Sequence, residues 1–249
     1  MTKHEKRLLA LSIVFSAALC VPQAASAMHI MEGYLPPVHC ILWGIICIPF
    51  LVAGVISIRH TVRQHRKTLL LLAMSGAFIF VISSLKIPSV TGSCSHMTGA
   101  GLSAILFGPA ATSILGIIAL VFQALLLAHG GLTSLGANTF SMAIAGPLLS
   151  WGLYKLGKKC KFPKLVNVFL AAALGDLFTY CVTSLQLALA NPSPQGGVAA
   201  SAVEFLAVFA PTQLPLAIVE GILTMLIIMG LESYAKPELH EIGFMGEEA

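Results

Sequence analysis

Charged side chains are scarce in this sequence, and the signatures of several common protein classes are missing. Only 10% of the 249 residues are Asp, Glu, Lys or Arg, whereas an ordinary soluble domain carries about 25%. The six cysteines form no CxxC pair and no zinc-site spacing. HExxH, a nucleophile elbow and a dinucleotide-binding fingerprint do not occur either. The sequence therefore does not indicate a soluble domain, a disulfide scaffold or one of these enzyme classes.

A nucleotide-hydrolysing site is also missing. The run from Gly152 to Lys159 resembles a phosphate-binding loop in spacing only, because it lacks the final Ser or Thr and follows no strand. Any ATP-driven activity would need a partner protein. The net charge of +4 lies in short basic blocks between apolar runs, so nucleic acid is not a predicted partner.

Apolar residues, in contrast, are abundant and grouped. They make up 57% of the chain and form runs of about 20 residues, the length that crosses a hydrocarbon core of about 30 Å. We predict an all-α fold, a polytopic helical bundle in the lipid bilayer over residues 38–235. The long runs occupy 38–58, 68–86, 109–128, 137–156, 165–190 and 212–231, and a short run occupies 99–108.

The N-terminus has the parts of a cleavable secretory signal. A basic start precedes an apolar stretch at 8–21, and small residues at Ala25 and Ala27 form a cleavage pattern. We predict that residues 1–27 are a signal peptide removed after Ala27; an uncleaved anchor helix is the alternative. Cleavage makes Met28 the first residue of the mature chain.

The basic blocks at 59–67 and 155–164 predict the topology, because short loops rich in Lys and Arg lie in the cytoplasm. An even number of crossings must separate the blocks, but only three long runs lie between them. The short run 99–108 must therefore cross too, although as a helix it is only about 15 Å long. We predict that residues 88–98 dip into the bundle from the outer side, where irregular backbone must be buried in protein.

The resulting prediction is about seven transmembrane helices in a multi-pass protein of the cell (inner) membrane. The mature N-terminus lies outside and the C-terminus lies in the cytoplasm. Residues 236–249 are acidic and are predicted to form a solvated cytoplasmic tail.

The predicted mature start, residues 28–37, has the chemistry of a metal-binding segment. The free amine of Met28, the deprotonated backbone nitrogen of His29 and the His29 imidazole can form two fused chelate rings. A fourth nitrogen completes a planar set that suits Ni²⁺ and Cu²⁺ and accepts Co²⁺. His96 is the best fourth ligand, because the topology places its loop on the same side of the membrane. The predicted metal ligands are therefore Met28, His29 and His96.

Other interpretations of these residues remain open. His96 could be a hydrogen-bonding loop residue, and Cys94 as a ligand would favour Cu(I) or Zn²⁺. Met97 is a further soft candidate. The remaining histidines rank lower, as interfacial or solvated residues; these are His39, His60, His65 and His129. His129 or Gln123 could still orient a ligand.

Ionisable residues within or next to the apolar runs are costly in a membrane and favour a functional role. A polar network that ties helices together is the preferred interpretation, and a proton relay is the alternative. These residues are Lys86, Asp176, Glu204 and Glu220.

Several segments resemble the CbiM/NikM family, the substrate-binding membrane components of energy-coupling-factor transporters for cobalt and nickel. The resemblance extends from Met28 to about Leu231. One departure is Met97, where the family pattern has Pro. The matching motifs are MHIMEGYLP at 28–36, GSCSHMTG at 92–99, GLSAILFGP at 101–109, FQALLLAHGG at 122–131 and LGANTFSM at 135–142.

The resemblance implies a protein that binds Co²⁺ for import and cobalamin biosynthesis, with Ni²⁺ as the alternative substrate. It implies that the metal is held by the amine of Met28, by the backbone and side chain of His29, and by His96. It also implies that the chain is not an enzyme: the ATPase activity resides in ATP-binding cassette subunits, which act with a transmembrane coupling protein and a small accessory membrane protein. A membrane metalloenzyme with the same ligands and a passive structural subunit are the rival hypotheses.

Overall fold

The computed structural model describes residues 29–64, 68–88 and 94–244. The predicted signal peptide, Met28 and the last five residues lie outside these ranges. Two short strands, β1 (Ile87–Pro88) and β2 (Cys94–Ser95), pair antiparallel with Ile87 opposite Ser95. The helices are α1 (Pro37–Gln64), α2 (Thr68–Ser84), α3 (Ala100–Leu126), α4 (Leu135–Asn138), α5 (Gly146–Lys159), α6 (Lys164–Ala190), α7 (Gly197–Tyr234) and α8 (Lys236–Glu241), with a π-helical segment, Thr139–Ala145, between α4 and α5.

The architecture is a helical membrane bundle, as predicted. Four of the helices, α1, α3, α6 and α7, are long and apolar enough to cross a membrane by length and composition. Helices satisfy their own backbone hydrogen bonds, which lipid cannot do. In α1 only 11% of the most apolar window is buried in the bundle, whereas in α3 and α6 half of it is. Apolar side chains thus cover the outside of the bundle as well as its core.

Helix α3 is two helical arms that meet at a sharp break. Gly108 has φ 82° and ψ 165°, far from helical values, and it precedes Pro109, which has no N–H to donate. The hydroxyl oxygens of Ser103 and Thr112 lie 3.0 Å apart, although nine residues of straight helix would separate them by about 13.5 Å. The arms 100–107 and 109–126 therefore fold back on each other.

This break confirms that 99–108 and the following run are separate helical segments. With α4, the π-helical segment and α5 taken as one continuous helix, the described residues contain seven helical segments besides the short α8. Four of them lie between the two basic blocks.

The segment before α3 enters the bundle, as predicted. Ser95, His96 and Thr98 are all buried, although they belong to no helix. Residues 89–93 of the predicted dip lie outside the described residues.

The C-terminal tail is only partly solvated, contrary to the prediction. Leu239 in α8 and Phe244 after it are buried in an apolar cluster with Ile228. The Phe244 ring stacks on Tyr154, with ring centroids 6.0 Å apart. The prediction rested on the acidic composition of the tail and did not consider these two apolar residues, which pack α8 against the bundle.

Candidate metal centre

The side chains of Asn138 and Ser134 hold the first described residues inside the bundle. The Asn138 carboxamide accepts a hydrogen bond from the Ile30 N–H at 2.8 Å and donates one to the Ile30 carbonyl at 3.0 Å. Ser134 also donates to the Ile30 carbonyl at 2.5 Å. Both His29 and Ile30 are buried. Hydrogen bonds therefore fix the backbone next to His29 against α4.

The next residues follow the loop between α3 and α4. The Thr133 N–H lies 3.2 Å from the Glu32 carboxylate, and hydrogen bonds from Thr133 lower the pKa of that exposed carboxyl. A Cβ at Gly131 would lie 2.6 Å from the Glu32 backbone nitrogen, so only glycine permits this approach. These contacts hold the Glu32 carboxylate against the loop.

His96 lies on the other side of His29, in the segment that leads into α3. Its Nδ1 is 2.8 Å from the Met97 carbonyl. Because a carbonyl only accepts hydrogen bonds, Nδ1 carries the proton and Nε2 keeps a free lone pair. Gln213 in α7 donates to the His96 carbonyl at 3.2 Å, which further fixes the ring.

The free nitrogen of His96 points at His29. His29 Nδ1 and His96 Nε2 are 2.5 Å apart, and the two rings stack with centroids 4.4 Å apart. A metal with two nitrogen ligands at right angles, each about 2.0 Å away, holds those nitrogens about 2.8 Å apart. The observed separation is slightly shorter than that spacing.

A third histidine completes the cluster. His129, in the loop after α3, is buried, and its ring centroid lies 4.4 Å from that of His29 and 5.0 Å from that of His96. One ring nitrogen from each of the three histidines lies within 4.8 Å of the others. Sequence reasoning ranked His129 low, since nothing in its spacing showed that the loop folds back over His29.

Burial favours the uncharged form of the three imidazoles. His29 precedes α1, His96 and His129 lie in segments between helices, and burial lowers the pKa of each below its ordinary value. The neighbouring Lys86 charge acts in the same direction. Neutral imidazoles have a lone pair to offer, so the cluster is prepared to bind a cation without first losing histidine protons.

A cavity of about 10 Å³ lies beside His29 and His96, a volume of the size that holds one water molecule or small ion. Its other walls include Asn138, Ser141 and Thr183. Ser141 belongs to the π-helical segment, and such segments often occur at functional sites. The cavity has room for a single ion beside these polar side chains.

Two buried carboxylates support the His96 segment without belonging to the histidine cluster. Glu220 in α7 accepts hydrogen bonds from the Thr98 N–H at 2.6 Å and from the Thr98 hydroxyl at 2.8 Å. Asp176 in α6 accepts one from Gln213 at 2.6 Å. These contacts support the predicted network between helices. Lys86 and Glu204, in contrast, are exposed.

We expect Glu220→Ala to destabilise the protein and to loosen the His96 segment. It leaves two buried Thr98 donors without their acceptor, and each such donor costs about 1–3 kcal/mol. Thermal unfolding followed by circular dichroism should show a lower midpoint than the wild type, and Glu204→Ala is the matched control at an exposed glutamate. Equal midpoints for the two variants would contradict a supporting role for Glu220.

The structure describes only some of the predicted site residues. It brings His29 and His96 together, whereas Met28 and the side chain of Cys94 lie outside the described part. Met97 is buried next to His96, where its carbonyl orients the ring. Two of the low-ranked histidines lie elsewhere: His60 is exposed and His39 is half-buried at the start of α1; His65 is not among the described residues.

Fold and site together define a class of protein: a helical membrane protein with a buried cluster of neutral histidines that can receive a metal ion. Residues 29–239 match the family model CbiM, described as the cobalt uptake substrate-specific transmembrane region. The chain belongs to this family.

Individual relatives agree with the family match. The chain is 67% identical to the cobalt transport protein CbiM of Lachnoclostridium phytofermentans over 98% of both chains. It is 59% identical to the protein of the same name from Chlorobium limicola, over 90% of this chain and 88% of that one. Both relatives are named as transport proteins, not as enzymes.

Solved structures agree on the fold. The chain superposes on a truncated transition metal transporter with a TM-score of 0.71 at 29% identity, covering 83% of this chain and 99% of that one. A second transition metal transporter gives a TM-score of 0.69 at 28% identity, covering 87% of this chain and 98% of that one.

Proposed function

We propose that this chain is the membrane component that binds Co²⁺ for import. The observation that carries the proposal is the 2.5 Å pair of His29 Nδ1 and His96 Nε2, two buried imidazole nitrogens at nearly the spacing of adjacent metal ligands. Relatives named as cobalt transport proteins favour Co²⁺ as the substrate. Ni²⁺ is the second candidate, because a planar set of nitrogen ligands also suits that ion.

The proposed ligand set has four nitrogens. Met28 contributes its amine, His29 its backbone nitrogen and Nδ1, and His96 its Nε2. This set requires cleavage after Ala27, since only then does Met28 carry a free amine. The hydrogen bonds of Asn138 to Ile30 hold this part of the chain where the ligands must meet.

A metalloenzyme with the same ligands is less well supported. Four nitrogens in a plane leave no open position in that plane for a reactant, unlike catalytic zinc sites. Glu32, the acid–base candidate beside the ligands, is hydrogen-bonded to Thr133 in the adjoining loop. We therefore assign no catalytic role to this chain.

We propose that partners supply the energy for import, because the sequence contains no motif for ATP hydrolysis. We propose ATP-binding cassette ATPase subunits, a transmembrane coupling protein and a small accessory membrane protein as these partners. The basic blocks favour an orientation with the mature N-terminus outside and the C-terminus in the cytoplasm. Co²⁺ would then enter from the side on which Met28 lies.

Proton release during binding tests the proposed ligand set. We expect each chain to bind one Co²⁺ and to release about two protons near pH 7. One proton comes from the Met28 amine, which is mostly protonated at that pH because its ordinary pKa is about 7.7–8.0. The other comes from the His29 backbone amide. The imidazoles should release none near pH 7, because burial lowers the pKa of each. Affinity should therefore rise with pH.

Isothermal titration of the processed protein in buffers with different ionisation enthalpies gives both the stoichiometry and the proton count. Binding without proton release would rule out the amine and amide as ligands. Failure of the processed protein to bind any Co²⁺ would reject the proposed function and support a passive structural subunit.

A further inference from the structure

His129 has no place in the four-nitrogen set, yet it lies against both histidines of that set. Its ring plane is inclined by 57° to the His29 ring and by 75° to the His96 ring, whereas those two rings lie within 26° of parallel. Among the residues that the structure describes, the buried Nε2 atom of His129 has no hydrogen-bond partner. A buried ring nitrogen without a partner beside a proposed metal site points to a ligand that the protein alone does not supply.

The position of His129 is defined by the fold. Its backbone N–H donates to the Gln123 carbonyl at 3.1 Å, which ties the loop to the end of α3. Gly130 follows with φ +76°, a conformation that favours glycine. The Gln123 side chain in turn donates to Ser83 in α2 at 2.6 Å. The His129 backbone is thus tied to α3, which Gln123 connects to α2, and a glycine turn follows it.

The four-nitrogen set alone selects against cobalt. Divalent ions bind nitrogen ligands in the order Co²⁺ < Ni²⁺ < Cu²⁺, and planar geometry itself favours Ni²⁺ and Cu²⁺. A fifth nitrogen on the axis changes this balance. Low-spin Ni²⁺ in a plane of four nitrogens gains little from an axial ligand, whereas low-spin Co²⁺ has one unpaired electron along the axis and binds an axial nitrogen well.

We propose that His129 supplies an axial imidazole nitrogen to the bound Co²⁺ and so favours Co²⁺ over Ni²⁺. The inference rests on the function proposed above, with Met28, His29 and His96 in the plane. The ligand nitrogens of the three histidines lie within 4.8 Å of one another, so a small movement of the His129 side chain brings it onto the ion. The residue then sets specificity without changing the planar set.

Electron paramagnetic resonance of the processed protein loaded with Co²⁺ without oxygen tests this directly. An axial ¹⁴N splits the cobalt hyperfine lines of low-spin Co²⁺ into triplets, and histidine labelled with ¹⁵N turns them into doublets. We expect triplets in the wild type and in the control His60→Ala, whose histidine is exposed. They should vanish in His129→Ala and return when free imidazole is added to that variant.

Affinity measurements provide the second readout. Co²⁺ affinity should fall about tenfold in His129→Ala, less than for a planar ligand because the four planar nitrogens remain, while Ni²⁺ affinity stays close to that of the wild type. Triplets that persist in His129→Ala, a wild-type spectrum without axial nitrogen, or an unchanged ratio of Co²⁺ to Ni²⁺ affinity would overturn the assignment of His129 alone. A wild type that binds no Co²⁺ would overturn the proposed function as well.

Discussion

A chain that keeps residues 1–27 should bind Co²⁺ more than about 100-fold more weakly than the processed chain, because even the loss of a residue that only orients a metal ligand costs about 10–100-fold. In the precursor the Met28 nitrogen belongs to a peptide bond and is no longer an amine. The chelate ring between that amine and the His29 backbone nitrogen cannot form. His29 and His96 alone would then hold the ion by two imidazole nitrogens.

The comparison requires a precursor that differs from the processed protein at the cleavage site only. Ala27→Leu places a large residue where signal cleavage needs a small one, whereas Ser26→Ala keeps the small-x-small pattern and should be processed normally. Mass spectrometry of protein taken from the membrane identifies residue 1 in each case, and equilibrium dialysis measures Co²⁺ affinity. Wild-type affinity in the uncleaved variant would remove the amine from the site.

His96→Ala should also lower Co²⁺ affinity by more than about 100-fold, since it removes a direct ligand and not merely an orienting residue. His96 Nε2 is the free nitrogen nearest His29 Nδ1, at 2.5 Å, and no backbone atom can replace it. The change also removes the hydrogen bond to the Met97 carbonyl, so folding must be checked by circular dichroism. The bundle should stay folded, because its helices pack through other residues.

His60→Ala is the matched control for this measurement. His60 is an exposed histidine near the C-terminal end of α1. Its Co²⁺ affinity should equal that of the wild type. If His96→Ala binds Co²⁺ as tightly as this control while remaining folded, His96 is not a ligand, and the planar set must be completed elsewhere.

Much of the fold could be predicted from local features. The apolar runs 38–58 and 165–190 correspond to α1 and α6, since the composition of a membrane-spanning helix is determined by the lipid around it. The separation of the two arms of α3 was predictable as well. Counting crossings between the basic blocks required 99–108 to be a segment of its own, and the structure has its break at Gly108.

Other features were hidden because they depend on contacts between distant residues. The Asn138 side chain that holds Ile30 is 108 positions away from it, and an asparagine in an apolar run carries no local sign of that partner. Leu239 and Phe244 are two apolar residues in an acidic tail, and only the apolar cluster that includes Tyr154 explains their burial. Glu220 was recognised as costly, but its hydrogen bonds to Thr98 could not be foreseen.

For the metal centre, the amino-acid sequence by itself determined the proposed chemistry of Met28 and His29. Two adjacent residues can form a chelate ring whatever the fold of the rest of the chain. It also placed His96 on the same side of the membrane, through charge and apolar length. Only the tertiary structure decided that His29 and His96 meet at 2.5 Å and that His129 joins them. His29 lies in the segment before α1, and His96 and His129 lie in two separate loops. Their approach depends on how α3 folds back and on how Asn138 in α4 binds Ile30. These are properties of helix packing and not of spacing along the chain.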